Sequence, residues 1–301
     1  MPAASLHALL AQSIDYAGLF PPCSLALEPA MRNQASYTKN EDAWMLGSFV
    51  LPIAKFKESE NYLSQFDQKH PLRISALGAK TESASAFRET LTDSMQVMRE
   101  LVKSRGAILS ITQLEMPLPP DVDTALLADA RSMLAGLPTF LEAPVDAAER
   151  TIALLGENDS DKTLGFKLRT GGVTADAFPT SEQIARVLVA AAKHRVSIKF
   201  TAGLHHPLRM FRDEVKTKMH GFLNVLGAAV LAAEHAWDAD QTKAMLEDEN
   251  PSSFSFDENS FRWRESKIAT NNIKERRKLV ASFGSCSFDE PREDLRALNL
   301  L

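Results

Sequence analysis

The feature that most constrains the fold is a repeated alternation of short β-like runs with longer helical stretches along most of the chain. Such an alternation is typical of a parallel sheet whose strands are joined by helical crossovers. Eight strands are predicted, at residues 16–20, 48–53, 73–79, 108–115, 139–143, 165–170, 197–201 and 222–225. Eight such units close into a (β/α)₈ TIM-type barrel. An open doubly wound sheet is the main alternative, but a glycine-rich nucleotide fingerprint does not follow the first strand.

Two of the connecting segments carry clear helix signals. Residues 182–194 have one apolar stripe, and Thr180 with Gln183 forms a capping box in front of it. A second stripe over residues 87–101 predicts a long helix that ends at Gly106. These helices fit the crossovers that a parallel barrel requires.

The alternation breaks beyond about Asp240, where a polar stretch precedes a predicted helix at about residues 267–281. We therefore expect a barrel over residues 1–240 and a C-terminal extension, residues 241–301, that packs on the barrel. Residues 283–291 of the extension are a candidate lid for the barrel mouth.

Charge and apolar patterning limit the classes of partner. The formal net charge of −5 at pH 7 gives no broad positive field for nucleic acid. The apolar run at residues 226–233 is too short to cross a bilayer, and the first residues lack the cationic start of a secretory signal. Cys23 and Cys286 have no metal-type spacing, so reduced thiols are expected. The sequence predicts a cytoplasmic protein without nucleic-acid or membrane partners, and it leaves a homo-oligomer open.

Two lysines on neighbouring predicted strands are the strongest candidates for chemistry. Side chains alternate along a strand, so Lys167 on the sixth strand and Lys199 on the seventh face the barrel axis. Arg169 and Thr201, two residues further along, face the same way. Active sites of such barrels lie at the carboxyl ends of the strands. A desolvated lysine beside a second cation has a lowered pKa and attacks a carbonyl to form a Schiff base.

The alternative interpretation of the lysines is structural. Glu115 and Glu142 end the fourth and fifth predicted strands, and they are placed to pair with both lysines in an ion-pair or anion-binding network. In the catalytic interpretation the same two carboxylates move protons.

Further candidates flank the carboxyl ends of the predicted strands. Asp15, at the first strand, is a candidate general acid or base. The residues predicted to bind substrate are Arg169, Thr170, Gly171, Gly172, Thr201, His205, His206 and Asn224. His205 and His206 together with Glu115 or Glu142 also fit a divalent metal site that polarises a carbonyl.

The segments KLRTGG, from Lys167, and KFTAGL, from Lys199, resemble motifs of the deoxyribose-phosphate aldolases. The resemblance implies that Lys167 is the Schiff-base lysine and that Lys199 is the cation that tunes it. The chain departs from the family pattern in having Glu115 where the family has an aspartate, and Ala202 with Gly203 where it has two glycines. Residues 226–228, Leu-Gly-Ala, replace the small hydroxyl residues of a phosphate grip, which puts a phosphorylated substrate in doubt. The chain ends, IDYAGLFPP and FGSCSFDEP, resemble those of bacterial proteins, and this second resemblance implies no chemistry.

These observations predict a carbon–carbon lyase or aldolase that acts on a small anionic carbonyl metabolite through an imine on Lys167, without a cofactor. Lys199 is expected to lower the pKa of Lys167, and Arg169 is expected to hold the anion. One alternative is a metal-dependent lyase, isomerase or hydrolase that uses the histidines and glutamates. A second is a barrel that binds a metabolite without turnover.

Overall fold

The computed structural model describes residues 2–157 and 162–301, and it is built around eight parallel strands. The strands are β1 (Ile14–Tyr16), β2 (Leu46–Pro52), β3 (Leu72–Leu77), β4 (Leu109–Pro117), β5 (Thr139–Glu142), β6 (Leu164–Arg169), β7 (Ile198–Thr201) and β8 (Val280–Ser285). Each strand pairs with its neighbour in the chain, and β1 pairs with both β2 and β8. The sheet therefore closes, and the predicted TIM-type barrel is confirmed.

Eleven helices are found in the described residues. They are α1 (Ala4–Leu10), α2 (Leu27–Tyr37), α3 (Phe56–Ser59), α4 (Ala84–Arg105), α5 (Thr124–Leu134), α6 (Ala148–Gly156), α7 (Ser181–His194), α8 (Phe222–His235), α9 (Ala239–Leu246), α10 (Thr270–Arg276) and α11 (Asp289–Ala297). The two helices with the clearest sequence signals are confirmed. Thr180 and Gln183 form the capping box of α7, and Gly106 caps the carboxyl end of α4.

The eighth strand is not where the sequence predicts it. Residues 222–225 begin helix α8, in which every residue from 222 to 232 is buried. A helix that is buried on all sides has no polar face, so its sequence gives the same continuous apolar run as a buried strand. The predicted strand at this position is therefore wrong, and β8 closes the barrel instead.

The position of β8 also changes how the carboxyl-terminal part of the chain is divided. Residues 280–285 lie within the predicted extension, yet they pair with β1 and β7. A boundary at residue 240 consequently does not separate the barrel from the rest of the chain. The candidate lid at residues 283–291 is also corrected, because Phe283 is a fully buried residue of β8 and the segment continues into α11.

Two small antiparallel sheets lie between β7 and β8 in the chain. Met210–Arg212 and Thr217–Met219 form a two-stranded hairpin, and Phe254–Phe256, Ser260–Trp263 and Ser266–Ala269 form a three-stranded sheet. The helix predicted at about residues 267–281 is shorter than expected and covers only α10. Among the described residues, no helix combines the length and apolar character needed to span a bilayer.

Candidate active site

A cavity of about 290 Å³ opens at the carboxyl ends of the barrel strands. The residues that line it come from the strand ends and from the loops that follow them: Ala17, Phe20, Pro21, Pro22, Val50, Leu77, Glu115, Lys167, Arg169, Gly172, Val173, Lys199, Thr201, Ala202, Gly203, His205, Gly284 and Cys286. Its volume suits a small metabolite. The position agrees with that of active sites in other barrels of this type.

Strand register places the two lysines side by side in this cavity. Lys167 of β6 pairs with Lys199 of β7, and both side chains are buried, with 5% and 1% of their surface exposed. Phe166 and Phe200, which alternate with the lysines, belong to the hydrophobic core instead. The predicted inward orientation of both lysines is therefore confirmed.

A single carboxylate, Glu115 of β4, bridges the two lysines. Its Oε2 lies 2.9 Å from Lys167 Nζ, and its Oε1 lies 3.3 Å from Lys199 Nζ. The Ser75 hydroxyl donates to the same Oε1 at 2.5 Å. Glu115 is 1% exposed, so its charge is balanced by the chain itself and not by solvent.

Lys167 has a second carboxylate partner at the cavity edge. Glu142 Oε2 lies 3.0 Å from Lys167 Nζ, and Glu142 Oε1 lies 3.8 Å from Arg169 Nε. The Arg169 side chain is 57% exposed, whereas the Glu142 side chain is 23% exposed. The lysine is therefore held between a buried carboxylate and a more accessible one.

Lys199 lies deeper and is held by Asp15 of β1. The Lys199 ammonium contacts Asp15 Oδ2 and donates to Ser282 Oγ at 3.0 Å. Asp15 also accepts from the backbone N–H of Ser48 at 2.6 Å and from Gln113 Nε2 at 3.0 Å. Asp15 therefore accepts from four donors, counting the Ser282 hydroxyl, and it holds Lys199 in place without itself lining the cavity.

The charges in this network shift the pKa values of its members in opposite directions. Burial raises the pKa of Glu115, but the Lys167 and Lys199 ammonium groups, together with the hydrogen bond from Ser75, lower it to about 2. Burial lowers the pKa of Lys167, but Glu115 and Glu142 raise it above its ordinary value. The sequence predicts a lowered pKa for Lys167, whereas in the resting site the pKa is raised, because Glu115 and Glu142 outweigh the effect of burial.

The loop after β6 does less for the cavity than the sequence predicts. Arg169 and Gly172 line it, as does Thr201 of β7. The Thr170 hydroxyl instead donates to the backbone carbonyl of Ala202 at 2.5 Å, and Thr170 is fully buried. Gly171 packs so closely on Phe178 that an added Cβ would lie 2.5 Å from the ring. Thr170 and Gly171 therefore shape the loop and lie outside the cavity lining.

The two histidines after β7 are held by α11. His205 Nδ1 lies 3.1 Å from Glu290 Oε2, and His206 Nδ1 lies 2.6 Å from Asp294 Oδ2. His205 lines the barrel cavity, whereas His206 lines smaller pockets next to it. Within residues 2–157 and 162–301, no group of three or more His, Cys, Asp and Glu side chains is arranged to hold a metal ion. The donor set described here does not fit the metal site that the sequence left open.

Asn224 lies in α8 and has a structural environment. Its amide donates to the backbone carbonyls of Met245 and Asp248, both at 2.8 Å, and accepts from the Arg209 backbone N–H at 2.9 Å. The side chain is fully buried, and it is not part of the cavity lining. Its prediction as a substrate ligand depended on a strand at residues 222–225, which the fold replaces with a helix.

Four polar partners of the site were not predicted from the sequence. Ser75, Gln113 and Ser282 contact the buried carboxylates, and Glu290 contacts His205. Gln113 has a sequence signal, because it precedes Glu115 by two residues on one strand and so faces the same side. Ser282 has none, because serine and glycine interrupt the apolar pattern of its strand.

Both cysteines reach the mouth of the cavity as free thiols. Cys286 follows β8 and lines the cavity, and its Sγ lies 3.0 Å from that of Cys23. Burial and then the contact with Cys23 raise the pKa of Cys286 to about 12. Cys286 is therefore a protonated thiol at neutral pH, and it must give up its proton in any reaction at sulfur.

Comparison with known proteins identifies a shared fold. No family model matches the chain. No curated protein matches it significantly. A solved structure named "QR15, an Aldolase" superposes with a TM-score of 0.50 and 9% sequence identity, over 97% of both chains. At this identity the similarity shows the barrel fold alone. That fold is the one that the resemblance of the lysine motifs implies.

Proposed function

We propose that this protein is an aldolase-type lyase that cleaves or forms a carbon–carbon bond in a small anionic carbonyl compound through an imine on Lys167. The observation that carries the proposal is the pair of buried lysines, in register on β6 and β7, which share Glu115 and open to one cavity. Burying two ammonium groups and two carboxylates is expensive for a fold that needs only packing there. The similarity of fold to an aldolase structure supports the same reaction class.

Lys167 is the better nucleophile of the two lysines. Lys199 is bound to Asp15, Glu115 and Ser282 and is 1% exposed. Lys167 is nearer the cavity edge, where its partner Glu142 is partly accessible. We assign Lys199 and Asp15 to positioning the network and Lys167 to attack.

The imine requires that Lys167 first lose a proton. Glu142 Oε2 lies 3.0 Å from Nζ and is the proton acceptor. Glu115 is a weak base, because its pKa of about 2 keeps it ionised. The free amine then attacks the carbonyl carbon, and the carbonyl oxygen leaves as water once it has been protonated. Cleavage moves the electrons of the broken carbon–carbon bond into the imine, while a carboxylate takes the proton of the β-hydroxyl group. The enamine that results is protonated at carbon by the carboxylic acid, and hydrolysis of the imine so formed restores the lysine.

The expected substrate class follows from the rim of the cavity. Arg169, which is half exposed, and the backbone around Gly172 offer donors to a carboxylate or other anionic group. A cavity of about 290 Å³ has room for such a group and a short carbon chain.

A second candidate function is proton transfer next to a carbonyl without an imine. The observation that favours it is the raised pKa of Lys167, which keeps this group an ammonium in the resting site. A fixed ammonium stabilises an enolate, and Glu142 is the base that removes the proton. This reaction would give exchange of the substrate α-hydrogen with solvent and no covalent adduct.

Borohydride trapping separates these functions. The protein is incubated with small aldehydes, ketones and 2-oxo acids, reduced, and analysed by intact mass and peptide mapping. The proposal expects an adduct on Lys167 that is absent from Lys167→Met. Lys103→Met is the matched control, since Lys103 is exposed on α4, and it should trap as the natural chain does.

The other outcomes each identify a different function. No adduct, together with solvent exchange of a substrate α-hydrogen, would contradict the imine and support proton transfer. No adduct and no exchange, with a ligand that raises the melting temperature, would indicate a binding barrel without turnover. Activity that a chelator abolishes would restore the metal-dependent alternative.

A further inference from the structure

The two cysteines of the chain meet at the mouth of the cavity although they are 263 positions apart. The Cys23 thiol donates to Cys286 Sγ, and the two sulfur atoms are 3.0 Å apart. The sequence contains only these two cysteines among 301 residues. Their contact is therefore produced by the fold and not by closeness in the chain.

Two paired strands hold the cysteines in position. Tyr16 of β1 is in register with Ser285 of β8, and the Ala17 backbone N–H donates to the Ser285 carbonyl at 2.7 Å. Cys286 comes directly after Ser285, and Cys23 lies in the loop that joins β1 to α2. A disulfide has an S–S length of about 2.05 Å, so the two sulfurs need to approach by roughly 1 Å. A movement of this size is within reach of side-chain rotation and a small shift of the loop.

The two thiols differ in access to solvent. Cys23 is exposed, whereas Cys286 is 6% exposed and faces the cavity. A small oxidant in solution therefore meets Cys23 first. Cys286 is then the thiol in contact with the sulfenic acid that forms on Cys23.

We propose that Cys23 and Cys286 are a covalent modification site, at which a hydroperoxide converts the two thiols into a reversible disulfide across the cavity mouth. The Cys23 thiol gives up its proton as its sulfur attacks the peroxide, so an S–O bond forms, the O–O bond breaks, and the leaving oxygen takes that proton and departs as water or alcohol. The Cys286 sulfur then attacks Cys23, which forms the S–S bond, and the sulfenic oxygen leaves as water with the Cys286 proton. Two thiols are oxidised by two electrons, and one peroxide is reduced.

The bond would tie a loop of the cavity lining to the barrel. Phe20, Pro21 and Pro22, which precede Cys23, line the cavity together with Cys286. A disulfide holds these residues at the end of β8, so the mouth is fixed in its present width. Because the cross-link joins distant parts of the chain, it also lowers the entropy of the unfolded state. This inference does not depend on the lysine chemistry.

The test uses the reduced full-length protein and a stoichiometric amount of hydrogen peroxide. Intact mass without reductant should fall by about 2 Da as two thiol hydrogens are lost. Both cysteines should resist a maleimide, and the melting temperature should rise. Dithiothreitol should reverse all three changes.

Cys23→Ser and Cys286→Ser are the matched controls, because each removes one sulfur and leaves the other. Neither variant should show the mass loss or the oxidant-dependent rise in melting temperature. The proposal is overturned if the natural chain gains oxygen atoms on Cys23 without losing the Cys286 thiol. It is also overturned if the mass doubles, since the bond would then join Cys23 residues of two chains.

Discussion

Two carboxylates in this molecule each lie between two cations, one in the barrel and one on the surface. Glu115 lies 2.9 Å from Lys167 and 3.3 Å from Lys199. Glu249 lies 2.6 Å from Lys218 and 2.5 Å from Arg209. The contacts are similar in length, but the Glu115 side chain is 1% exposed and the Glu249 side chain is 39% exposed.

The difference shows that burial, and not the number of ion pairs, determines how strongly the charges of the barrel site interact and shift one another's pKa values. The pKa of Glu249 is lowered first by its hydrogen bond from Lys218, with little burial to oppose it. For Glu115, burial is the largest influence and raises the pKa, but the two lysines and the hydrogen bond from Ser75 together outweigh it and lower the pKa to about 2. Solvent screens the surface cluster, whereas the barrel charges interact strongly and must be balanced by one another.

Removal of the buried carboxylate should have the largest effect on stability. We expect Glu115→Gln to lower the free energy of unfolding by about 3 kcal/mol, because it leaves two buried ammonium groups short of a partner. This loss of unfolding free energy is at the low end of the range for breaking a buried ion pair, since Lys167 keeps Glu142 as a partner and Lys199 keeps Asp15. Denaturant unfolding measures it.

A double variant tests whether charge imbalance is the cause. Glu115→Gln combined with Lys199→Met removes one charge of each sign, and we expect it to lose less stability than the two single changes added together. Simple additivity of the two losses would contradict the coupled network.

Acid should weaken the barrel network over a defined pH window. The folded pKa of Glu115, about 2, lies below its ordinary value of 4.5, so its contribution is complete above about pH 4.5 and is lost as the pH falls toward 2. Over this window, the natural chain should lose unfolding free energy more steeply than Glu115→Gln. Parallel curves for the two proteins would show that Glu115 titrates normally in the folded state.

A buried hydrogen bond without charge should have an intermediate effect. Thr170→Val removes the hydroxyl that donates to the Ala202 carbonyl, and we expect a loss of about 1 kcal/mol in unfolding free energy. Because this hydroxyl points away from the cavity, borohydride trapping on Lys167 should be unchanged. A large loss of trapping with normal stability would instead make Thr170 a substrate ligand, as the sequence suggested.

The surface cluster should give the smallest effect. Glu249→Gln is expected to change the unfolding free energy by less than ~1 kcal/mol, and added salt should reduce the difference further. Thermal or denaturant unfolding at low and high ionic strength checks this. A loss as large as that for Glu115→Gln would remove the distinction between the two clusters.

Strand periodicity made most of the barrel predictable. Seven of the eight predicted strands overlap β1 to β7, and alternation placed Lys167 and Lys199 correctly in the cavity. The failure at residues 222–225 has a physical reason, since a run that is apolar on every side carries no period to tell a helix from a strand. The sequence does not predict the strand Val280–Ser285 for a different reason, because serine and glycine interrupt its apolar pattern.

The residues of the site were predictable to a smaller degree. The sequence predicts the pairing of Lys167 with Glu115 and Glu142 as the structural alternative, and the structure contains both contacts. The sequence does not predict the contact between Lys199 and Asp15, since 184 positions separate these residues and only closure of the barrel brings β1 near β7. Whether Lys167 performs the proposed chemistry stays a prediction.

The sequence by itself determined the barrel class and the inward direction of both lysines, because alternation along a strand is a local property of the backbone. Only the tertiary structure decided which strand closes the barrel, which carboxylates surround Lys167 and that its pKa is raised. It also decided that Cys23 and Cys286 meet. Each of these depends on distances between groups far apart in the chain, and pKa shifts and ion-pair energies change steeply with such distances and with burial.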